Sequence, residues 1–358
     1  MLFMSNNNSY SLKTISKLSG VSIATLSRYF NGQTIKKSNQ QKIESIIKET
    51  GYRPNIAARL MKSRTSGVIG LILPEIAHPF FSAIAEGVIE EARNNDQLVL
   101  ITSSNGSVKK EKEDIKRLSN SILDGLIYIP VAKAENIPEL DSFRNLPLVV
   151  TARQNIIPGI PHIYHDGEKG GYLATKYLLQ MGRKRIAFIA SFWEVPCKNS
   201  ELFDFSSKAD SYPFSSIDRF RGYLRALKEA NIELDNNLII TTGYNFEDGK
   251  KAASTLVSRM ANPDGVVVMA EAIADGVKLN FTNQGFKVPE DISFVIFDKT
   301  SNSSANDTHI ELHLEIMGIK SVETLNKLIN KEKATNISLD VDLVINDSTT
   351  KKIQKKGK

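Results

Sequence analysis

Val21-Ser22-Ile23-Ala24-Thr25-Leu26-Ser27-Arg28 begins one residue after Gly20, and a second punctuating glycine, Gly51, follows some twenty residues beyond its end. Ile15, Leu18, Val21 and Leu26 have the spacing by which two short helices bury one shared core, and Gly20 stands where the chain must turn between them. The stretch therefore reads as helix, tight turn, helix. Ser22 is placed to cap the second helix, its hydroxyl accepting from the free N–H groups of the first turn. That helix runs from Ile23 to about Phe30, with Ile23, Ala24, Thr25 and Arg28 outward and Leu26 inward. A third helix follows, with Ser38 and Gln41 as an S-x-x-Q capping box, an apolar stripe of Ile43, Ile46 and Ile47, and Gly51 as its stop.

Charge sets this segment apart from the rest. The first 65 residues hold eleven Lys and Arg against only Glu44 and Glu49, whereas residues 66–350 hold 30 basic against 38 acidic groups. A cationic head on an acidic body points to a polyanion as the head's partner, more than the overall charge of +6 does.

The body is long and apolar enough for real cores, with 358 residues in all and 41% of them hydrophobic. From Gly67 onward, short β-branched runs alternate with amphipathic helical stretches. Val68–Leu73, Leu98–Thr102, Gly125–Pro130, Leu148–Thr151, Arg185–Ala190, Leu238–Thr242, Gly265–Ala270 and Ile292–Asp298 read as buried parallel strands. The expectation is a doubly wound α/β body, split into two lobes because about 280 residues exceed one comfortable sheet, with a ligand cleft between them.

The pairing of Val21–Arg28 with Gly51-Tyr52-Arg53-Pro54-Asn55 resembles the lactose/galactose repressor family of bacterial transcription regulators. The likeness continues through Pro74–Phe81, Asp166–Tyr172, Asp218–Tyr223, Val288–Ser293 and Phe297-Asp298, so it covers nearly the whole chain. It implies an all-α helix-turn-helix head (1–53), a hinge helix or linker (54–66), and a periplasmic-binding-protein-like body of two lobes (67–350). Lobe 1 is expected at about 67–163 and 299–330, lobe 2 at about 164–298 and 331–350, and a basic tail at 351–358. The resemblance implies base reading by Ile23, Ala24 and Arg28 in the major groove, with Ser22, Thr25, Ser27 and Asn31 placed for phosphates. Arg28 can pair bidentately with guanine or simply bind phosphate. Asn55, Ala58 and Met61 lie on the implied hinge helix, where Met61, with Leu60 beside it, is the wedge for the minor groove; a plain flexible linker is the alternative. Partners so implied are double-stranded operator DNA, bound by a homodimer at a palindromic site, and a small-molecule effector, sugar or a related metabolite.

For that effector the candidate pocket residues are His78, Phe80, Phe81, Asp166, Trp193, Arg219, Glu271 and Asp298. Each has a plainer reading: Arg219 as a surface ion-pair partner, Asp166 as a helix cap, Phe80 and Phe81 as core, and Trp193 as structural. The chain departs from the family at Ala270-Glu271, His78 and Ile296, which implies an altered pocket. Residues 193–216 are longer than the usual connection and carry Cys197, Phe203, Phe205, Tyr212 and Phe214; they read as a lid, a partner surface or a tolerated insertion.

Catalytic and cofactor readings find little purchase. GxSxG, GxxxxGK[ST], GxGxxG and HExxH are all absent, so neither an enzyme nor a cofactor is expected. If His309 and His313 share a strand, roughly 13 Å separates them, too far to share an ion. One cysteine argues against a disulfide framework. The first residues lack a basic n-region and an apolar h-region, and no apolar run reaches the roughly 18 residues that span a bilayer, so a cytoplasmic, membrane-free setting is expected. A solute-binding protein or a sugar-processing enzyme with a basic extension are the rival readings.

Overall fold

The computed structural model describes residues 10–30, 33–52, 65–131, 140–154, 156–192, 199–207, 215–299 and 306–352. Asn31, Asn55, Ala58, Met61, Trp193 and Cys197, the hinge and the basic residues beyond Lys352 lie outside the described residues, as do the side chains of Phe205, Tyr212 and Phe214. The chain divides into two units at Ser66/Gly67.

Among its described residues the head has three helices, α1 (Leu12–Ser19), α2 (Ile23–Phe30) and α3 (Lys37–Thr50). Ser11 caps α1, and Gly20 turns the chain with φ of 66°, a left-handed conformation that glycine adopts without a Cβ penalty. Ser22 Oγ accepts from the Thr25 N–H at 3.2 Å and so opens α2. Ile15, Val21, Leu26, Ile43 and Tyr52 form the core. Two expectations fail here. Leu18 is 50% exposed, because the inward position one turn after Ile15 falls on Ser19, whose hydroxyl donates to the Ile15 carbonyl. The Ser38/Gln41 capping box does not form: α3 starts at Lys37, Lys36 is its N-cap without a side-chain bond, and Ser38 therefore sits inside the first turn.

In the body, the elements follow in the order β1 (Val68–Leu73), α4 (Pro79–Asn94), β2 (Leu98–Ser103), α5 (Val108–Ser119), β3 (Gly125–Tyr128), β4 (Leu148–Thr151), β5 (His162–His165), α6 (Gly167–Gln180), β6 (Ile186–Ser191), α7 (Asn199–Ser207), α8 (Ser215–Glu229) and β7 (Ile239–Thr242). Then come α9 (Phe246–Ser258), β8 (Gly265–Val268), α10 (Glu271–Asn283), β9 (Ser293–Ile296), β10 (His309–Glu311), α11 (Leu314–Ile329), β11 (Ile337–Leu339) and β12 (Asp342–Val344). Two six-stranded sheets result, ordered β11-β5-β4-β3-β1-β2 and β12-β10-β9-β8-β6-β7. All pairs are parallel except β10 with β12. Central runs such as Gly265–Val268 are buried throughout, as strands covered on both faces must be.

The allotment of the C-terminal pieces differs from expectation. β10, within the 299–330 assigned to lobe 1, joins the second sheet, and β11, within the 331–350 assigned to lobe 2, joins the first. Strands of three residues carry no periodicity that says which sheet they complete; their neighbours decide it, β10 meeting β9 and β11 meeting β5. The chain thus passes between lobes after β5, after β10 and after β11. The Val288–Ser293 loop is clasped from beneath by the fully buried Arg183, which donates to the Pro289, Glu290, Asp291 and Thr350 carbonyls at 2.8–3.1 Å.

Candidate DNA-reading helix and ligand cleft

On α2 the side chains of Ser22, Ile23, Ala24, Ser27 and Arg28 are exposed, Thr25 is half-buried and Leu26 is buried. Residues 23 and 27, and 24 and 28, are one turn apart, so Ile23, Ala24, Ser27 and Arg28 make one patch. Ser22 and Thr25 share a hydroxyl hydrogen bond of 2.9 Å, which fixes both at the helix start. Lys13, Lys17, Lys36, Lys37, Lys42 and Lys48 are all exposed, which gives the head a cationic surface.

In the body, residues at the carboxyl ends of strands from both sheets converge, as open α/β sheets dictate. Arg219, on α8, is 3% exposed and donates from Nη2 to Asp298 Oδ1 at 3.0 Å. Its guanidinium stacks over Phe297 at 4.1 Å and its Nη1 reaches the Met269 carbonyl at 3.4 Å. The ion pair is interior, so the plainer expectation of a surface ion-pair partner does not describe Arg219. Its helix is held close by Gly171 of α6, where a Cβ would overlap the Arg219 carbonyl. Asp298 follows β9 with φ of 49°.

A recess of about 20 Å³ lies between the lobes, lined by Phe80, Ala152, Arg153, Gln154, Tyr164, His165, Gly167, Ser215, Asp218, Arg219 and Leu312. That is room for about one water. Of the expected pocket residues, Phe80 and Arg219 line it, with Asp298 behind Arg219. Phe81 is core, packed edge-on against Phe80 at 5.0 Å. His78 caps α4, its Nδ1 accepting from the Phe80 N–H at 3.3 Å, while its ring meets Tyr244 of the other lobe at 5.7 Å. Burial holds His78 below the usual histidine range against the opposing charges of Asp298 and Glu75, in keeping with an accepting Nδ1. Asp166 is exposed and caps α6, accepting from the Lys169 N–H at 2.8 Å. Glu271 is half-buried at the first position of α10 and does not line the recess.

Arg153, Gln154, Tyr164, His165, Asp218 and Leu312 escaped the sequence reading. Arg153 is buried, and desolvation lowers its pKa while the charge of Arg219 pushes the same way. Burial, with Arg219 adding to it, lowers the pKa of His165 to about 3, so the ring is neutral. Burial pushes Asp218 up to about 6 against the pull of Arg221 and Gln154. Three of these had a usable signal: Arg153 and Gln154 follow the apolar run of β4, and His165 ends β5, the strand edge where such clefts form. In the sequence Asp218 stands out only as the neighbour of Arg219.

Among the described residues, no group of His, Cys, Asp and Glu is arranged to hold a metal ion. β10 ends at Glu311 and His313 turns away with φ of 50°. His313 Nε2 meets Asp342 at 3.1 Å and His309 Nε2 meets Glu311 at 3.6 Å, each with its own carboxylate. Among the described residues, no helix is long and apolar enough to cross a membrane.

Residues 11–55 match the model of bacterial regulatory proteins of the lacI family, and residues 66–347 match that of periplasmic binding proteins and the sugar binding domain of the LacI family. The chain belongs to the LacI family. It is 29% identical over 345 residues to the HTH-type transcriptional regulator RegA of Clostridium saccharobutylicum, covering 95% of this chain and 99% of the relative. With the HTH-type transcriptional repressor PurR of Vibrio atlanticus (strain LGP32) it shares 28% identity over 80% of this chain and 81% of that one. The fold is that of the Lac repressor dimer bound to operator and the anti-inducer ONPF, with a TM-score of 0.77, 22% identity, and 95% and 99% of the two chains covered. This LacI-family member is thus a DNA-binding transcriptional regulator with a ligand-binding body, and not an enzyme.

Proposed function

We propose that the chain works in the cytoplasm as a homodimeric repressor that reads a palindromic operator, one half-site per head, and answers to a sugar or related metabolite held between the lobes of its body. The exposed Ile23, Ala24 and Arg28 face of α2, on a head whose lysines all face solvent, carries the reading. Arg28 pairs with a guanine edge, Ile23 and Ala24 offer apolar contact to a thymine methyl, and Ser22, Thr25, Ser27 and Asn31 meet phosphates. Asn55, Ala58 and Met61 supply contacts to the minor groove, with Met61 as the wedge. Support for repression comes from PurR, named a repressor, and support for a sugar ligand from the sugar-binding family that the body matches.

In the cleft, Arg219 and Asp298 supply a donor and an acceptor for neighbouring hydroxyls, and Phe80 an apolar wall. A ligand acts by binding one degree of lobe closure better than another, which shifts the population of the DNA-competent dimer. The test is a mobility shift with the chain's own promoter region at several salt concentrations, followed by a sugar panel. Affinity should fall steeply with salt, prefer that fragment over random duplex, and change with one class of sugar. Equal binding to both duplexes would overturn the reading.

A further inference from the structure

Gln154 and Asp218 belong to opposite lobes. Gln154 follows β4 of the first sheet, and Asp218 lies in the first turn of α8, which packs on β6 of the second. Across the cleft Gln154 Nε2 donates to Asp218 Oδ2 at 2.7 Å, while Arg221 Nη1 donates to Oδ1 at 2.6 Å. Each carboxylate oxygen therefore has its own donor, one from either lobe. The residue is 8% exposed and cannot retreat into its own lobe, because it is backed by Gly167, where even a Cβ would stand 2.9 Å from the Asp218 Cβ. A charge-assisted bond is roughly twice as strong as a neutral one, and a low local dielectric strengthens it further.

We propose that Gln154 and Asp218 form an inter-lobe latch that sets the resting closure of the cleft, with Arg221 as a positioning residue that aims the carboxylate at Gln154. The latch needs no ligand to form, since both partners are the chain's own. It is also sensitive to acid. Burial raises the Asp218 carboxyl to about 6, so the carboxylate is charged at pH 7.5 and takes both donors. At pH 5 it is protonated, the Arg221 pair is lost and the Gln154 bond loses its charge assistance. The groups facing it are Arg219 and Arg221 on α8, Glu168 on α6, His165 at the end of β5, and Arg153 beside Gln154. Glu168 is engaged by Arg225 at 2.7 Å, and His165, with its pKa lowered to about 3, stays neutral over this window.

Lobe separation is read by electron–electron distance spectroscopy, with spin labels on Lys109→Cys and Glu247→Cys in a Cys197→Ser full-length chain. Both label sites are exposed, one in the first turn of α5 and the other in that of α9. Neither DNA nor ligand is needed, so failure here and failure of the repressor reading are separable. With the native latch, a narrow distribution at pH 7.5 should broaden to longer distances at pH 5. Gln154→Ala should be broad at both. Gln154→Glu sets carboxylate against carboxylate, so it should open at pH 7.5 and narrow at pH 5, when one proton is shared, inverting the pH response. Asp218→Asn should abolish the response. Gln154 variants that fold normally and reproduce the native distribution at pH 7.5 would overturn the latch, as would a native pH response that survives in Asp218→Asn.

Discussion

On α2 and the residue before it, Ser22, Ile23, Ala24, Ser27 and Arg28 present their side chains to solvent within seven consecutive residues, whereas the recess draws Phe80, Arg153, His165, Asp218 and Arg219 from four separate stretches of chain. The first arrangement needs one capped helix and a small core beneath it. The second needs two sheets, the register of several strands and the packing of α6 on α8. It follows that damage to the head should be local and damage to the cleft should spread into the body that builds it, which makes a set of substitutions able to break the contrast.

The largest effect is expected at Arg219. Arg219→Ala leaves Asp298 buried without its 3.0 Å partner, and removing one member of a buried pair typically costs about 3–5 kcal/mol. Chemical denaturation should show that loss in the body's transition. The double variant Arg219→Ala, Asp298→Asn should recover part of it, because the stranded charge is gone. If Arg219→Ala unfolds with the native midpoint, the cleft is not built into the stability of its lobe and the contrast collapses.

Next comes Ile15→Ala in the head. Ile15 is fully buried in a core whose other buried apolar members, among the described residues, are Val21, Leu26, Ile43 and Tyr52. Truncation of a buried isoleucine costs about 2–5 kcal/mol, comparable with what so small a domain has to lose. DNA binding should vanish while the thermal transition of the body stays where it was. A shifted body transition would show that the two units share stability.

These two residues also mark how far the sequence could be read. Ile15 was legible because a helix repeats every 3.6 residues, and the same arithmetic placed Leu26 inside and Arg28 outside. It misjudged Leu18, since the inward slot beside Ile15 went to Ser19 instead. Strands β1 and β4 were legible to the residue from their apolar runs, and Arg219 from its motif. Asp218 was not, and Arg153 and His165 showed only that they follow or end a strand, because which lobe they face depends on a strand order absent from local pattern. The same ignorance exchanged β10 and β11 between lobes. Asp166 shows the converse limit: one carboxylate before a glycine-rich helix reads alike as a cap or a ligand contact, and the structure makes it a cap.

Arg28→Ala isolates recognition from folding. Its side chain is exposed and supports no core residue, so stability should hold. A lost bidentate contact to guanine costs about 1–3 kcal/mol of discrimination at that base pair. Binding-site selection should therefore relax at one position of each half-site and remain sharp elsewhere. A uniform loss across all sequences, with a salt dependence shallower by about one phosphate contact, would reassign Arg28 to the backbone.

Ser22→Ala gives the smallest effect and the finest test of locality. Ser22 Oγ accepts the Thr25 N–H at 3.2 Å and bonds the Thr25 hydroxyl at 2.9 Å, so alanine removes the cap and frees Thr25 together. A lost N-cap costs about 1 kcal/mol, a loss that should appear as fraying of the first turn of α2, where Ile23 and Ala24 sit. Amide exchange should quicken at Thr25 and its neighbours and leave α3 protected. DNA affinity should fall while the preference read by Arg28, a turn and a half further on, is kept. Faster exchange across all three helices would mean instead that the reading surface and the core beneath it cannot be perturbed separately.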